Sequence, residues 1–214
     1  MNYTKSIREY CLNNQGTAFD MSYEHEHHFS EVPYRTFCKI LNRLEEEGIL
    51  KTYSKGIYLI SSNGADIDPV LSFYANDNTG VVIGYEMYNE LGITNHNEKP
   101  IEVLTNAMET TTKNIGENYR LILFKGYFDK FTKKLIKALE IIENNRKIIE
   151  LNMFKMNKVL IMQLQYYKDE ALENILKNRN YSLTTIKTLQ DYLDNLEIEN
   201  KVSEIAKEYF KNTI

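Results

Sequence analysis

The chain has 214 residues, of which 43% are hydrophobic and 26% are charged, and its formal net charge is −4. These values are typical of a globular protein of one or two domains whose core needs no metal or disulfide for stability. No apolar run approaches the roughly 20 residues of a membrane span, and the N-terminal residues lack the apolar core of a signal peptide. We therefore expect a cytoplasmic protein in which Cys11 and Cys38 are reduced thiols.

Charge is distributed unevenly along the chain. Residues 33–58 hold five basic and three acidic residues. Residues 62–100 hold one basic and six acidic residues, and residues 113–158 hold eleven basic and five acidic residues. The negative total therefore does not exclude a nucleic-acid partner, because a protein that binds a phosphate backbone needs a local basic patch.

The first predicted elements are two helices separated by a short strand. Apolar residues have helical spacing within residues 3–13, and residues 14–16 interrupt the pattern. Residues 17–19 are predicted to be extended. Asp20 then is a suitable N-cap for a second helix.

The third predicted helix is the most informative segment. Ser30 is the predicted N-cap, Pro33 lies in the first turn, and Gly48 follows the last turn. An apolar stripe recurs between them at helical spacing. It consists of Phe37, Ile40, Leu41 and Leu44. This pattern predicts a helix that packs one face on a core.

A hairpin follows this helix. Residues 49–53 and 57–60 are predicted strands, joined by a turn at residues 54–56 in which Gly56 can take a positive φ. The order helix, strand, helix, helix, hairpin is typical of a winged helix-turn-helix, which we predict for residues 1–62. The same order also occurs in small domains that bind protein or bind nothing, and residues 45–47 place three glutamates at the helix end.

The helix face opposite the apolar stripe is polar and basic, and the hairpin extends it. These candidates for DNA contact are Tyr34, Arg35, Lys39, Asn42 and Arg43 on the helix and Lys51 and Lys55 on the hairpin. We expect Arg35, Asn42 and Arg43 to read base edges, and the lysines to contact phosphates.

The second half, residues 63–214, is predicted to be a mainly helical domain with a small sheet. Residues 101–104 and 121–124 are predicted strands. Residues 81–88 form either a short helix or a strand that leads into one, and the chain is helical almost throughout after Asp129. The predicted fold class is therefore α+β, mostly α.

Four lysines in this half share one helix face. They are Lys130, Lys133, Lys134 and Lys137, at steps of three and four residues. Such a run is more often a solvated face than a binding site. The alternative is a second DNA-contacting face, since a polyanion would relieve the repulsion between the like charges.

Catalytic and metal-binding signatures are weak. Three histidines within residues 25–28 resemble zinc ligands, but without a nearby cysteine they are better interpreted as a polar helix surface. Asp66 and Asp68 resemble a Mg²⁺-binding pair, but they lack a phosphate-binding glycine-serine turn and are better interpreted as part of a linker. No P-loop, dinucleotide fingerprint or HExxH motif is present. We therefore predict no enzymatic activity, no cofactor and no metal site.

Two segments carry a resemblance to a known family. The first is EEEGILKTYSKGIYLI at residues 45–60, where a leucine-bearing helix, a glycine turn and a glycine-containing wing follow one another. The second is TGVVIGYEMYNELGITNH at residues 79–96, followed by the strand IEVLT. Over roughly residues 1–125, the chain resembles the AbiEi family, the antitoxins of type IV toxin–antitoxin (abortive infection) systems.

The resemblance implies a two-domain protein that represses its own promoter. Its N-terminal domain would bind inverted repeats, with two copies on the double-stranded DNA, and Thr36 and Tyr53 join the candidate contacts. Its C-terminal domain would carry antitoxicity against a nucleotidyltransferase toxin encoded next door. Two alternatives remain from the residues alone: a protein-interaction module without specific DNA binding, and a ligand-sensing winged-helix regulator.

Overall fold

The computed structural model describes residues 2–62 and 68–211, and within those ranges the chain forms ten α-helices and seven β-strands. The helices are α1 (Tyr3–Asn13), α2 (Met21–His27), α3 (Tyr34–Glu46), α4 (Pro69–Tyr74), α5 (Gly84–Glu90), α6 (Lys130–Asn144), α7 (Met153–Leu164), α8 (Asp169–Asn178), α9 (Leu183–Asn195) and α10 (Val202–Lys211). The strands are β1 (Ala18–Asp20), β2 (Leu50–Ser54), β3 (Ile57–Ile60), β4 (Gly80–Ile83), β5 (Ile101–Thr105), β6 (Thr112–Ile115) and β7 (Tyr119–Leu123). About half of the residues are helical, and the predicted α+β class is confirmed.

The N-terminal elements surround a three-stranded antiparallel sheet with the order β1-β3-β2. An apolar core lies between this sheet and the first three helices, and Phe19, Phe37 and Leu41 are fully buried in it. The predicted order of helix, strand, helix, helix and hairpin is confirmed. The first hairpin strand begins and ends one residue later than predicted, at Leu50 and Ser54.

The start of α3 differs from the prediction. The helix begins at Tyr34, with Pro33 at the N-cap and no side-chain cap, so the prediction of Ser30 as the N-cap is wrong. The residue before a proline avoids helical backbone angles, because its backbone clashes with the proline ring. Val32 therefore interrupts any helix that begins at Ser30, and its amide instead donates to the carbonyl of Phe29 at 3.0 Å.

The second half is built on a four-stranded sheet with the order β4-β5-β7-β6. β5 and β7 are parallel, and the other two pairs are antiparallel. β4 leads directly into α5, which confirms the strand-to-helix alternative for residues 81–88. The sequence pattern does not predict β6, because only Ile115 among its four residues is buried.

α6 is the central helix of the second half. Eight of its fifteen residues are buried, and it contacts α7, α8 and α9. Its buried Glu140 accepts hydrogen bonds from Nε of Arg179 at 2.8 Å and from the hydroxyl of Tyr181 at 2.6 Å. This ion pair attaches α6 to the segment between α8 and α9.

A shared apolar core joins the two halves. It contains Ala18 and Ile57 from the first sheet and Val103 and Leu121 from the second. The predicted domain boundary after residue 62 adjoins residues 63–67, which lie outside the described ranges. The described elements on either side of that boundary pack directly on each other.

Asp20 is the charged group at this junction. Its Oδ1 accepts from the backbone amides of Ser22 and Tyr23, so it caps α2 as predicted. Its Oδ2 accepts from the hydroxyl of Tyr74 at 2.6 Å and pairs with Nζ of Lys113 at 2.6 Å. A carboxylate that is 2% exposed needs partners of this kind.

Glu24 on α2 is a second buried carboxyl group. Its side chain is 1% exposed, and its Oε2 lies 2.7 Å from Nδ1 of His28. Burial raises the pKa of Glu24, and hydrogen bonds with Tyr10 and His28 oppose this shift only in part. The folded protein therefore favours the neutral carboxyl group more strongly than the unfolded chain does.

We predict that Glu24→Gln makes stability less dependent on pH. In the native chain, the protonated Glu24 side chain contributes to the free energy of unfolding. This contribution is fully present below the pKa of Glu24 in the unfolded chain, about 4.3, and it is lost as pH rises through the raised pKa of Glu24 in the folded protein. Urea titrations should therefore show that the free energy of unfolding of the variant, relative to that of the native chain, increases as pH rises above about 4.3. Glu26→Gln, an exposed change on the same helix, is the control. A difference that stays constant with pH would contradict the account.

Candidate nucleic-acid interface

All nine residues predicted to contact DNA are exposed to solvent. They are Tyr34, Arg35, Thr36, Lys39, Asn42 and Arg43 on α3 and Lys51, Tyr53 and Lys55 on the β2–β3 hairpin. α3 and β2 are in direct contact, so the helix and the hairpin contribute to adjoining surfaces.

α3 separates an apolar side from a basic side. Its buried residues are Phe37, Ile40, Leu41 and Leu44. Because an α-helix has about 3.6 residues per turn, Arg35, Lys39 and Asn42 share the opposite face. Arg43 lies beside them and is also exposed. The apolar stripe thus determines which side chains of α3 are available to a partner.

The basic side chains of this surface have no acidic partner in the part of the chain that the structure describes. The surface has five basic side chains, and across residues 2–62 and 68–211 none of them takes part in an ion pair or a side-chain hydrogen bond. They are Arg35, Lys39, Arg43, Lys51 and Lys55. By contrast, Arg8 on α1 binds both carboxylate oxygens of Glu47, at 2.7 and 2.5 Å. The surface of α3 and the hairpin therefore keeps positive charge that the protein does not neutralise by direct contacts.

Two of the three glutamates at the end of α3 are used within the protein. Glu47 holds Arg8, and Glu45 accepts a hydrogen bond from the backbone amide of Thr52 at 2.9 Å. The hydrogen bonds from Thr52 lower the pKa of Glu45. These contacts attach the end of α3 to α1 and to β2. Glu46 is exposed and, among the described residues, makes no ion pair or side-chain hydrogen bond.

The hairpin turn is attached to the start of α2. Gly56 adopts a φ of +77°, which a residue with a side chain rarely adopts. The amide of Met21 donates to the carbonyl of Gly56 at 2.9 Å. A β-bulge between Thr52 and Ser54 shifts the register beside Tyr53. The tip with Lys55 is therefore held against the body of the protein.

Tyr34 lies at the junction of α2 and α3. Its ring is 51% exposed and lies 5.2 Å, centroid to centroid, from the ring of His25. Its hydroxyl is 3.9 Å from Sδ of Met21. Tyr34 therefore lies away from the face that Arg35 and Lys39 share.

The start of α1 also borders the basic face, which the sequence analysis missed. A shallow groove is lined by Asn2, Tyr3 and Thr4 on one side and by Thr36, Lys39, Ile40 and Arg43 on the other. Backbone amides at a helix N-terminus favour anions. The helical pattern of residues 3–13 gave no sign of this position, because the contact between α1 and α3 is tertiary.

The four lysines of α6 line one cleft. Lys130 is exposed, whereas Lys133, Lys134 and Lys137 are half-buried. The prediction that they share one side of the helix is consistent with this placement. The cleft is separate from the groove beside α3, because the two share no lining residue.

The histidines of α2 and Asp68, which were considered as metal ligands, make structural contacts. Nε2 of His25 lies 2.8 Å from the carbonyl of Val32, and His28 pairs with Glu24. Asp68 caps α4 and accepts a hydrogen bond from the hydroxyl of Tyr119. Asp66 lies outside the described residues.

No model of a protein family matches the chain, and a search of curated proteins found no significant match. In the part of the chain that the structure describes, none of the helices combines the length and the apolar character needed to cross a membrane.

Proposed function

We propose that the chain is a transcriptional repressor that binds its own promoter. In this proposal residues 2–62 form a winged helix-turn-helix, with α3 as the recognition helix and the β2–β3 hairpin as the wing. The observation that carries the proposal is the set of five exposed basic side chains that have no acidic partner among the described residues. The phosphates of a DNA duplex would supply the missing counter-charges.

The major groove admits an α-helix, and the exposed face of α3 has the side chains to read it. Arg35 and Arg43 suit guanine, because a guanidinium group can donate two hydrogen bonds to its edge, and Asn42 suits adenine. The side chains that hold the DNA backbone in this proposal are Tyr34, Thr36, Lys39, Lys51, Tyr53 and Lys55. These backbone contacts would set the register of α3 on the DNA.

The operator in this proposal is an inverted repeat. Two copies of the chain would place their recognition helices in successive major grooves, about 34 Å apart along the duplex. This arrangement requires two copies on the DNA, whether or not they associate in solution.

The antitoxin role rests on the resemblance of residues 45–60 and 79–96 to the AbiEi family. We propose that the C-terminal half counteracts a nucleotidyltransferase toxin encoded beside the gene. The chain itself would act without catalysis and without a cofactor.

The test of the repressor proposal is binding of the purified protein to the DNA upstream of its own gene. Scrambled DNA serves as competitor, at about 0.15 M salt. Selective retention with a protected inverted repeat would support the proposal. The proposal would be contradicted if the protein bound both DNAs equally at low salt and bound neither at about 0.15 M salt.

We predict that Arg43→Ala weakens the specific site by about 1–3 kcal/mol and affects scrambled DNA much less, because Arg43 is proposed to pair with a guanine. Fluorescence anisotropy on both DNAs measures this difference. Arg146→Ala, at an exposed arginine beyond α6, is the matched control. Equal losses on both DNAs would make Arg43 a backbone contact.

We predict that Lys55→Ala weakens every DNA sequence similarly, because the wing is proposed to contact phosphates. The slope of log affinity against log salt should fall by about one unit. Lys187→Ala, at an exposed lysine on α9, should leave the slope unchanged. An unchanged slope for Lys55→Ala would remove the wing from the interface.

A second candidate function, protein interaction, is favoured by a separate observation. α7 exposes large apolar side chains, and Phe154 is 81% exposed beside Met153 at 57%. Contiguous exposed apolar side chains often mark a protein-binding surface. In the antitoxin proposal this face would contact the toxin. Phe154→Ser should then reduce co-purification of the adjacent nucleotidyltransferase, and unchanged co-purification would contradict this role.

A further inference from the structure

A cleft is lined by residues of α6, of β4 and of the segment 75–80. Its volume is about 950 Å³, and its lining includes the apolar side chains of Leu71, Val82 and Phe128. Clefts of this size, with apolar walls and a few polar groups, are typical of small-molecule sites. The cleft lies apart from α3 and the hairpin, so its role is independent of the proposed DNA contact.

Positive charge is concentrated along one wall of the cleft. The wall is formed by Lys130, Lys133, Lys134 and Lys137. Burial lowers the pKa of Lys133 and of Lys137. Nearby carboxylates oppose this shift, and in each case a neighbouring lysine adds to it. The ammonium groups therefore repel one another in partial isolation from water, and an anion between them would remove that repulsion.

Three of the four lysines are held in position by contacts of their own. Nζ of Lys133 donates to the carbonyl of Asn76 at 2.6 Å. The ammonium groups of Lys130 and Lys134 lie 4.3 and 4.8 Å from the centroid of the Tyr166 ring. Such cation–π contacts hold both ammonium groups close to the same aromatic ring. The positive wall is thus organised before a ligand arrives.

Acidic residues at the border do not cancel this charge. Asp77 is fully exposed and lies 4.0 Å from Nζ of Lys133. Oδ1 of Asp129 is occupied by the amide of Thr132 at 2.7 Å, where it caps α6. Glu90 is exposed at the end of α5. Three carboxylates therefore face four ammonium groups, and the acids lie at the rim.

Gln163 on α7 lines the cleft, and its side chain carries a buried hydrogen-bond acceptor. Its side chain is 5% exposed, and its Oε1 has no hydrogen-bond partner among the described residues. A buried amide carbonyl without a donor lowers stability. A ligand with an N–H or O–H group at this position would satisfy it.

We propose that the cleft binds a small molecule that carries a phosphate and, on a flat and largely apolar group, a hydrogen-bond donor. A nucleoside phosphate has this chemistry. The phosphate would lie among the lysines of α6, the flat group against the apolar wall, and the donor at Oε1 of Gln163. A DNA duplex fits less well, because its convex backbone meets protruding side chains, whereas three of the four lysines are half-buried in a concave wall.

The first test is calorimetric titration of the full chain with ATP and with pyrophosphate. Lys137→Gln and Lys134→Gln should each weaken both ligands by at least about tenfold, because each removes a charge-assisted hydrogen bond. Lys187→Gln makes the same change of charge on α9, away from the cleft, and should change affinity by no more than about twofold. Equal effects of the cleft variants and the control would overturn the proposal.

The second test separates the nucleoside from the phosphate. Gln163→Met keeps the size of the side chain and removes the acceptor. The substitution should weaken the binding of ATP by about tenfold and leave the binding of pyrophosphate unchanged. Its melting temperature should not fall, because the unpaired carbonyl is gone, so loss of fold cannot explain weaker binding.

Three further outcomes would overturn the proposal. The first is that neither ligand binds at millimolar concentration, and the second is that ATP binds no more tightly than pyrophosphate. The third is that Gln163→Met weakens the binding of both ligands equally. Duplex DNA is titrated in parallel. If Lys137→Gln weakens DNA and not ATP, the lysines form a second DNA-contacting face instead.

Discussion

The arrangement of the two halves depends on the carboxylate of Asp20. One oxygen caps α2, and the other binds Tyr74 and Lys113 at a site that is 2% exposed. Loss of one partner of a buried ion pair typically costs about 3–5 kcal/mol, because the other charge is left buried and alone. α4 and β6 therefore supply the partners that the buried carboxyl group of Asp20 needs.

The same junction positions the surface proposed to contact DNA. Met21 follows Asp20, and its amide holds the carbonyl of Gly56 in the hairpin turn. Glu45 then connects α3 to β2 through the amide of Thr52. The recognition helix and the wing are thus fixed to each other and to the second sheet. A surface that is ordered before binding loses less conformational entropy when a partner arrives.

Local signals explain what the sequence could predict. The apolar stripe of α3 and the glycine at Gly56 act within a few residues, so they predict the helix, the hairpin and the exposed basic face. Ser30 failed as a cap because the proline that follows it controls where the helix begins. The pair of Asp20 and Lys113 joins residues 93 positions apart, and no local pattern encodes such a contact. The spacing of the α6 lysines likewise predicts a shared face, but the opposite wall of their cleft comes from distant segments of the chain.

The most direct test of this account is a double-mutant cycle at the junction. Asp20→Asn keeps the cap of α2, because asparagine caps helices about as well as aspartate, and Lys113→Met keeps the aliphatic length of the side chain. Urea unfolding of both variants, the double variant and the native chain gives the coupling free energy. We expect a coupling of at least about 1 kcal/mol, with a single cooperative transition in every case. Additive effects, or separate transitions for the two halves of the native chain, would contradict it.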